Sequence, residues 1–284
     1  MSGSGGGRWR LPWREDHLGD RDLTRWPTAA GRMLLRASAR LARWARLRLP
    51  ERDLPWFVLG VTAILGVGLA LAMTVASAEI YDAVTDREGL AGLDQPVLDE
   101  MTSWRSDDLD AAVTDFTDLG STTIMPAVVV VAALLLCWWW RRWTPALLLA
   151  IAALGSVLMT VVGKQVVDRA RPAQSLAVPP FEDSPAFPSG HALNSWVLLL
   201  LIGYLVAVRT TSRATGVVAI TVAFVVAVAM GLSRVYLGHH WLTDVLVAWT
   251  LGTAWLAVVI TGHRLALTVR RSAASAGLDS SPEP

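Results

Sequence analysis

Long apolar runs recur along the chain and leave little choice of fold. A helix needs about 20 predominantly apolar residues to cross the hydrocarbon core of a bilayer. Six stretches are long enough or nearly so: 55–78, 121–140, 144–163, 192–208, 214–232 and 244–262. Hydrophobic residues make up 53% of the chain and charged residues only 17%, which argues against an ordinary soluble domain. The sequence therefore predicts an all-α integral membrane protein, a bundle of six transmembrane helices.

The distribution of arginine predicts how these helices are oriented. Arginines crowd the segment before the first apolar run, and others occupy the connections at 141–142 and 209–213 and the segment after the last run. Connections rich in Lys and Arg remain on the cytoplasmic side of a membrane. The alternate segments, 79–120, 164–191 and 233–243, are therefore expected outside. We expect a multi-pass plasma-membrane protein with both termini in the cytoplasm.

The two ends of the chain complete the expected organisation. Residues 1–53 form an Arg-rich cytoplasmic segment that we expect to be partly disordered, residues 54–263 the six-span domain, and residues 264–284 a disordered cytoplasmic tail. The helical spacing of arginines over 28–49 fits a helix lying on an anionic leaflet, and it fits a topology anchor with no further role equally well. Because Cys137 is the single cysteine, no intrachain disulfide can form.

The segment 79–120 is too long for a simple turn between two spans. Its apolar residues recur at intervals of three to four: Val97, Met101 and Trp104, then Leu109, Val113, Phe116 and Gly120. This spacing predicts two short amphipathic helices separated near Ser106. They could cover a site on the outer face or simply pack there, and the sequence favours neither alternative.

Three polar segments interrupt the apolar pattern on this same predicted outer face. They read KQVVDRARP at 164–172, PSGH at 188–191 and SRVYLGHHWLTD at 233–244. Ionisable groups so close to a membrane core are costly and indicate a functional site. The cations Lys164, Arg171 and Arg234, together with free N–H groups at a helix start, would form a receptor for a tetrahedral oxyanion. Ser189 could cap that helix, and Gly190 would let its backbone approach the ligand.

The histidines of these segments indicate a reaction rather than binding alone. His240 and Asp244 are four residues apart, so in a helix they would share one face, and the carboxylate could orient the imidazole for nucleophilic attack. His191 could then protonate the leaving group and later activate water. His239 stays a second candidate nucleophile, although Asp244 follows it at five residues rather than four. A metal site built from these side chains is disfavoured, because three neighbouring cations would repel a divalent ion.

The three segments match motifs of a known family. Lys164 to Pro172 fits KxxxxxxRP, Pro188 to His191 fits PSGH, and Ser233 to Asp244 fits SRxxxxxHxxxD. Complete and in this order, they resemble the signature of the type-2 phosphatidic acid phosphatase superfamily, the lipid phosphate phosphatases. The resemblance covers 164–244 strictly, and the six-span layout extends it over 55–262.

The resemblance implies a role for each motif residue. His240 would be the nucleophile, paired with Asp244, and His191 the acid–base group. The residues that would bind the phosphoryl oxygens are Lys164, Arg171, Ser189, Gly190 and Arg234. The resemblance implies no metal or other cofactor for a membrane phosphatase, although related soluble haloperoxidases use the same pocket for vanadate. Asp168 and Arg169, in the variable part of the first motif, are interpreted as an exposed pair rather than as catalytic groups.

These observations predict a lipid phosphatase whose pocket opens on the extracytoplasmic side. We expect it to hydrolyse phosphate monoester or diphosphate headgroups through a phosphohistidine, with a polyprenyl diphosphate such as undecaprenyl diphosphate as the first expected substrate. Phosphatidylglycerophosphate, phosphatidic acid and diacylglycerol pyrophosphate are the alternatives. A protein that binds or transports phosphate-bearing solutes without cleaving them is the alternative from another class, but it leaves the spacing of His240 and Asp244 unexplained. No nucleic-acid partner is indicated, and the sequence does not indicate an oligomeric state.

Overall fold

The computed structural model describes residues 17–18, 21–22, 72 and 89–278. The first predicted span, apart from residue 72, and the predicted interfacial helix over 28–49 lie outside the described residues. Two short strands, β1 (His17–Leu18) and β2 (Arg21–Asp22), pair antiparallel. The helices are α1 (Asp94–Ser103), α2 (Asp107–Asp118), α3 (Ile124–Trp140), α4 (Thr144–Val167), α5 (Gly190–Arg209), α6 (Arg213–Tyr236) and α7 (Leu242–Leu278). Short 3-10 helices occupy Gly89–Leu93 and Gln174–Leu176.

The predicted membrane fold is confirmed, but the count of six spans is not. Within the described residues, four helical segments are long and apolar enough to cross a membrane: Thr144–Val167, Gly190–Arg209, Arg213–Tyr236 and Leu242–Arg264. The helix α3 falls where a further span is predicted, but it has 17 residues and is shorter than these four. Helices suit a bilayer because they satisfy their backbone hydrogen bonds internally. The chain is a multi-pass, mostly helical membrane protein.

The helix α5 lies at the centre of the bundle and packs against α3, α4, α6 and α7. Leu193, Leu201 and Leu205 on this helix are fully buried. Small residues allow its neighbours to approach one another closely. A Cβ atom added to Gly155 of α4 would lie 2.2 Å from the indole of Trp255 on α7, and the indole nitrogen of Trp255 donates a hydrogen bond to the carbonyl of Ala152. The close contact of α4 and α7 therefore requires glycine at 155.

Apolar side chains cover the outer surfaces of α3, α4 and α6. Leu134, Leu154 and Val218, for example, are exposed by 62%, 73% and 59% of their surface. Exposed apolar surface on this scale would be unstable in water and indicates contact with lipid. At one end of the bundle the guanidinium of Arg209 lies over the ring of Trp139, 5.6 Å from its centroid, and this contact joins the ends of α5 and α3.

The two short helices predicted between 79 and 120 are confirmed as α1 and α2. Ser106 separates them and caps α2, because its hydroxyl accepts a hydrogen bond from the backbone N–H of Leu109. Both helices pack against α6. The predicted apolar faces are only partly right: Trp104 is 56% exposed, whereas Leu98 on the same helix is fully buried. The helices are therefore anchored by fewer apolar contacts than the spacing suggests.

The last helix is longer than expected. The predicted span ends at 262, but α7 continues to Leu278, into the segment predicted as a disordered tail. Its final part is rich in Ala, Leu and Arg, which have high intrinsic helix propensity. The remaining residues, 279–284, lie outside the described residues.

Candidate active site

The three sequence motifs meet at one cavity of about 870 Å³. Its polar side is lined by Lys164, Glu182, His191, Arg234 and His240, together with His239, Gly190 and Asn194. Its apolar side is formed by α3, α4 and α5, and the lining residues there include Val129, Val130, Val157, Val161 and Leu198. The cavity thus joins a charged end to an apolar wall, as a binding site for an amphipathic molecule would.

Lys164 lies in the last turn of α4, and its ammonium faces the loop that joins α4 to α5. The Nζ atom donates hydrogen bonds to the hydroxyl of Ser184, at 3.0 Å, and to the carbonyl of Pro185. These acceptors are neutral, and no carboxylate in the described part of the chain forms an ion pair with Lys164. The ammonium remains available to attract an anion in the cavity.

Arg171 connects this loop to the histidine motif. Its Nη1 atom donates to the carbonyl of His239 at 2.7 Å and lies 3.3 Å from Nε2 of His240. Its Nε atom donates to the carbonyl of Ser184 at 2.6 Å. The guanidinium is therefore held in place by backbone groups and points toward His240.

Glu182 joins Arg171 to Arg234 and was not identified from the sequence. Its Oε2 atom accepts a hydrogen bond from Nη2 of Arg171 at 2.7 Å, and its Oε1 atom accepts one from Nη2 of Arg234. Burial alone would raise the pKa of Glu182, but the two guanidiniums outweigh it and lower the pKa from 4.5 to about 2. An ionised carboxylate thus bridges the two arginines that are predicted to bind phosphate. No pattern in its loop, which contains several prolines, would have indicated this position.

The PSGH motif forms the start of α5. Ser189 is confirmed as the N-cap, because its hydroxyl accepts a hydrogen bond from the backbone N–H of Ala192. Gly190 is the first helical residue and lines the cavity, and a Cβ atom there would lie 3.1 Å from Cγ2 of Thr160. His191 follows it and lines the same cavity. The free N–H groups of this helix end and the His191 imidazole are therefore brought to one place.

His240 lies in the loop before α7, so the expectation that it shares a helical face with Asp244 is wrong. The two side chains nevertheless meet, with Nδ1 of His240 lying 3.4 Å from Oδ2 of Asp244. Asp244 is held in the first turn of α7, and its Oδ2 atom also accepts the backbone N–H of Trp241 at 2.9 Å. The contact therefore depends on a carboxylate that caps the helix start rather than on helical spacing.

The surroundings of His240 determine which of its ring nitrogens carries the proton. Arg171 can only donate, so Nε2 of His240 must accept and carry a lone pair, and Nδ1 carries the proton that faces Asp244. Burial, followed by the charges of Arg171 and Arg234, holds the pKa of His240 well below its usual value of 6.5. The imidazole is therefore neutral at physiological pH, with its lone pair directed at a cation.

His239 is directed away from this arrangement. Its Nε2 atom lies 2.7 Å from the carbonyl of Val178 and, since a carbonyl can only accept, carries the proton of the ring. Burial, with the charge of Arg234, lowers the pKa of His239 to about 4. The lone pair of the His239 ring therefore lies on Nδ1, which is buried and has no hydrogen-bond partner among the described residues, so no carboxylate orients this ring.

The interpretation of Arg169 as an exposed group is wrong. Asp168 is exposed, but Arg169 is buried and forms ion pairs with Asp94 and Asp244. Asp168 ends α4 in the left-handed conformation, with φ at 43°, and the turn carries the next side chain inward. A signal for Asp94 was present, because it falls at helical spacing on the same face as Val97 and Leu98. A carboxylate on an apolar face needs a buried partner.

The chain is similar in sequence and fold to known membrane proteins. A family model described as the PAP2 superfamily matches residues 144–266. The chain is 32% identical over 146 residues to phosphatidylglycerophosphatase B of Bacillus subtilis (strain 168), covering 51% of this chain and 70% of the relative. The crystal structure of a transmembrane PAP2-type phosphatidylglycerolphosphate phosphatase from Bacillus subtilis superposes with a TM-score of 0.58 at 26% identity, covering 69% of this chain and 94% of that one. Aquifex aeolicus LpxE is more distant, with 19% identity, 60% and 94% coverage and a TM-score of 0.47.

The fold and the motifs define a multi-pass membrane phosphatase. The chain belongs to the PAP2 superfamily, as its sequence motifs predicted. Members of this family are phosphatases, and the cavity described above is where its three motifs meet.

Proposed function

We propose that the chain hydrolyses the phosphate monoester of a membrane glycerophospholipid, of the phosphatidylglycerophosphate type, by transferring the phosphoryl group to His240. The observation that carries this proposal is the position of the His240 ring. Its unprotonated Nε2 atom lies 3.3 Å from Arg171, and its opposite nitrogen lies 3.4 Å from Asp244. A neutral imidazole directed at an anion-binding guanidinium and backed by a carboxylate is suited to nucleophilic attack on phosphorus.

The binding of the phosphoryl group follows from the charges around the cavity. Lys164, Arg171 and Arg234 would contact its oxygens, and the N–H groups at the start of α5, next to Ser189 and Gly190, would complete the cradle. These donors stabilise the charge that develops on the oxygens in the transition state. The substrate must displace the Glu182 carboxylate from the two arginines before it can bind in this way.

The reaction would proceed in two balanced steps. In the first, Nε2 of His240 forms a bond to phosphorus, the ester oxygen leaves, and His191 supplies the proton that converts it to an alcohol. In the second, His191 takes a proton from water, the hydroxide attacks phosphorus, and the bond to His240 breaks to release inorganic phosphate. Asp244 stabilises the positive charge on the His240 ring while the phosphoryl group is attached.

The choice of substrate class rests on relatives and on the cavity. The Bacillus subtilis relative is named a phosphatidylglycerophosphatase, which supports this alternative over a polyprenyl diphosphate. Asn194 adds a second reason: its Oδ1 atom is buried in the cavity wall and has no hydrogen-bond partner within the described part of the chain. A free hydroxyl of a glycerol headgroup would satisfy this acceptor, whereas a polyprenyl diphosphate carries no such donor.

The membrane orientation completes the proposal. The arginine distribution supports a cytoplasmic location for both termini and an extracytoplasmic location for the cavity. The apolar side of the cavity, which includes Val130 of α3 and Val157 and Val161 of α4, would accommodate acyl chains that remain in the bilayer. We also propose that no metal takes part, because three cations surround the reacting group.

The experiment is phosphate release by the purified protein in detergent. Phosphatidylglycerophosphate, phosphatidic acid, a polyprenyl diphosphate and a water-soluble phosphate ester are compared, each with EDTA or vanadate as separate additions. We expect the highest kcat/KM with phosphatidylglycerophosphate, no effect of EDTA and inhibition by vanadate. Faster release from the polyprenyl diphosphate would restore the first expectation from the sequence. Activity lost in EDTA and regained with a divalent ion would refute the metal-free mechanism, and binding without release would favour the transport alternative.

A further inference from the structure

A buried ring of polar side chains lies behind the reacting histidine. We propose that Asp94 and Arg169 are positioning residues, which hold the Asp244 carboxylate in the orientation that His240 requires. The inference deepens the proposed mechanism and rests on His240 as the nucleophile. It extends the active site to α1, a helix that lies outside the residues matched by the family model, 144–266.

The guanidinium of Arg169 bridges two carboxylates. Its Nη1 atom donates to Oδ1 of Asp244 at 2.5 Å, and its Nη2 atom donates to Oδ2 of Asp94 at 2.7 Å. The three side chains expose 8%, 0% and 6% of their surface, respectively. A forked donor shared by two carboxylates fixes both in direction, because guanidinium hydrogen bonds lie in one plane.

Thr243 closes the ring. Its backbone N–H donates to Oδ1 of Asp94 at 2.9 Å, and its hydroxyl donates to Oδ2 of Asp94 at 2.7 Å. The same hydroxyl accepts a hydrogen bond from Nη1 of Arg169 at 2.8 Å. Since Thr243 immediately precedes Asp244 in the first turn of α7, Asp94 ties α1 to the backbone that carries the catalytic carboxylate.

The ring determines which oxygen of Asp244 can face the histidine. Arg169 occupies Oδ1, so Oδ2 alone is left for Nδ1 of His240 and the backbone N–H of Trp241. If Arg169 loses Asp94, its guanidinium is free to rotate toward Asp244 and to take up both carboxylate oxygens. The contact with His240 would then weaken, although nothing in the phosphate-binding part of the cavity has changed. Loss of this alignment is expected to slow the chemical step more than substrate binding.

A purely structural role for the ring is the alternative, and Asp94→Asn distinguishes the two. The variant keeps the shape of the side chain and an acceptor for Thr243, but it removes the charge that holds Arg169. The matched control is Asp99→Asn, on the same helix, because Asp99 is exposed and its carboxylate accepts only from Gln95 among the described side chains. Both variants are measured as full-length protein in detergent.

We expect Asp94→Asn to lower kcat by about tenfold while KM stays within about twofold, since misalignment affects the transition state and not ground-state binding. Asp99→Asn should match the unmodified protein in both constants. In an Asp244→Asn background, Asp94→Asn should cause no further loss, because the group that it positions is already impaired. An unchanged kcat, a parallel rise in KM, or a full additional loss in the double variant would overturn the proposal.

Two further measurements keep the result decisive. Arg169→Lys retains the charge but cannot fork between two carboxylates, so the same loss of kcat is expected even if Asp94→Asn does not fold. If neither variant folds, as judged by thermal unfolding, the proposal is overturned, because the ring is then needed for folding rather than for positioning Asp244.

Measuring a water-soluble phosphate ester beside the lipid separates failure of the positioning proposal from failure of the proposed function. If the proposed lipid is not the substrate, the unmodified protein will hydrolyse the soluble ester but little of the lipid. Activity retained in His240→Ala would instead refute His240 as the nucleophile.

Discussion

Nδ1 of His240 lies 3.4 Å from Oδ2 of Asp244, and this contact distinguishes the two adjacent histidines. His240 places its other nitrogen toward Arg171, whereas His239 directs Nε2 to the carbonyl of Val178. Only His240 therefore combines an orienting carboxylate with a lone pair directed at the cavity cations. The contacts of the two rings therefore favour His240 over His239 as the proposed nucleophile.

The first prediction concerns this pair. His240→Ala should reduce phosphate release by more than about 1,000-fold because the nucleophile is lost, while His239→Ala should stay within about tenfold. Rapid acid-free quenching with radiolabelled substrate should trap a phosphoenzyme in the His239 variant and none in the His240 variant. The reverse pattern would move the nucleophile to His239. Thermal unfolding of both variants serves as the control for folding.

The second prediction concerns pH. Burial and two guanidiniums hold the pKa of His240 well below 6.5, so the neutral, nucleophilic form persists to lower pH than an ordinary histidine allows. Protonation of His240 should therefore not reduce kcat between about pH 7.5 and 6. The measurement is kcat across this range, with the substrate phosphate titrated separately by phosphorus NMR. A midpoint near pH 6.5 that is explained neither by the substrate nor by His191, the proposed acid–base group, would contradict the neutral-imidazole arrangement.

Much of the site could be predicted because its motifs combine residue types that a membrane segment rarely holds. Lys164, Ser189, His191 and Arg234 stand out as polar groups beside apolar runs, and the structure brings them to one cavity or its rim. The pairing of His240 with Asp244 was predicted for an incorrect reason. The spacing of four is satisfied by a helix cap and not by a helical face.

The residues that were missed are those whose partners are distant in sequence. Arg169 falls in the variable part of the first motif, so the motif assigns it no role, and its partner Asp94 comes from another helix. Glu182 looks like an ordinary loop acid, and only the fold brings it between Arg171 and Arg234. A local pattern reports which face a helix buries, but it does not report which charges meet across the bundle.

The third prediction concerns the packing of α4 against α7. Gly155→Ala should destabilise the protein, because the new Cβ atom would lie 2.2 Å from the indole of Trp255. Overpacking of this kind costs about 1–3 kcal/mol. Gly216→Ala on α6 is the matched control, since its nearest contact would be an ordinary 3.4 Å to Ala207. Thermal unfolding in detergent should show a lower midpoint for Gly155→Ala only. Equal midpoints for the two variants would mean that α4 and α7 can move apart to accommodate the new Cβ atom with little loss of stability.

The fourth prediction concerns Glu182, whose carboxylate occupies the guanidiniums proposed to bind phosphate. Glu182→Gln removes the competing charge, so vanadate and inorganic phosphate should inhibit about three- to tenfold more strongly. Asp183→Asn, at the adjacent exposed position, is the matched control and should change neither inhibition constant.

The pH dependence gives this prediction a second readout. The pKa of Glu182 is lowered from 4.5 to about 2 in the folded protein, so the stability that its ion pairs contribute is fully present above pH 4.5, and the ion pairs themselves are lost as the pH falls through about 2. The ratio of vanadate inhibition constants between the unmodified protein and Glu182→Gln should therefore be constant from pH 5 to 8. Weaker inhibition of the variant would show that Glu182 organises the arginines for the ligand and does not compete with it. In that case the Glu182 carboxylate would be part of the phosphate-binding site. The substrate would then bind without displacing Glu182 from the two arginines.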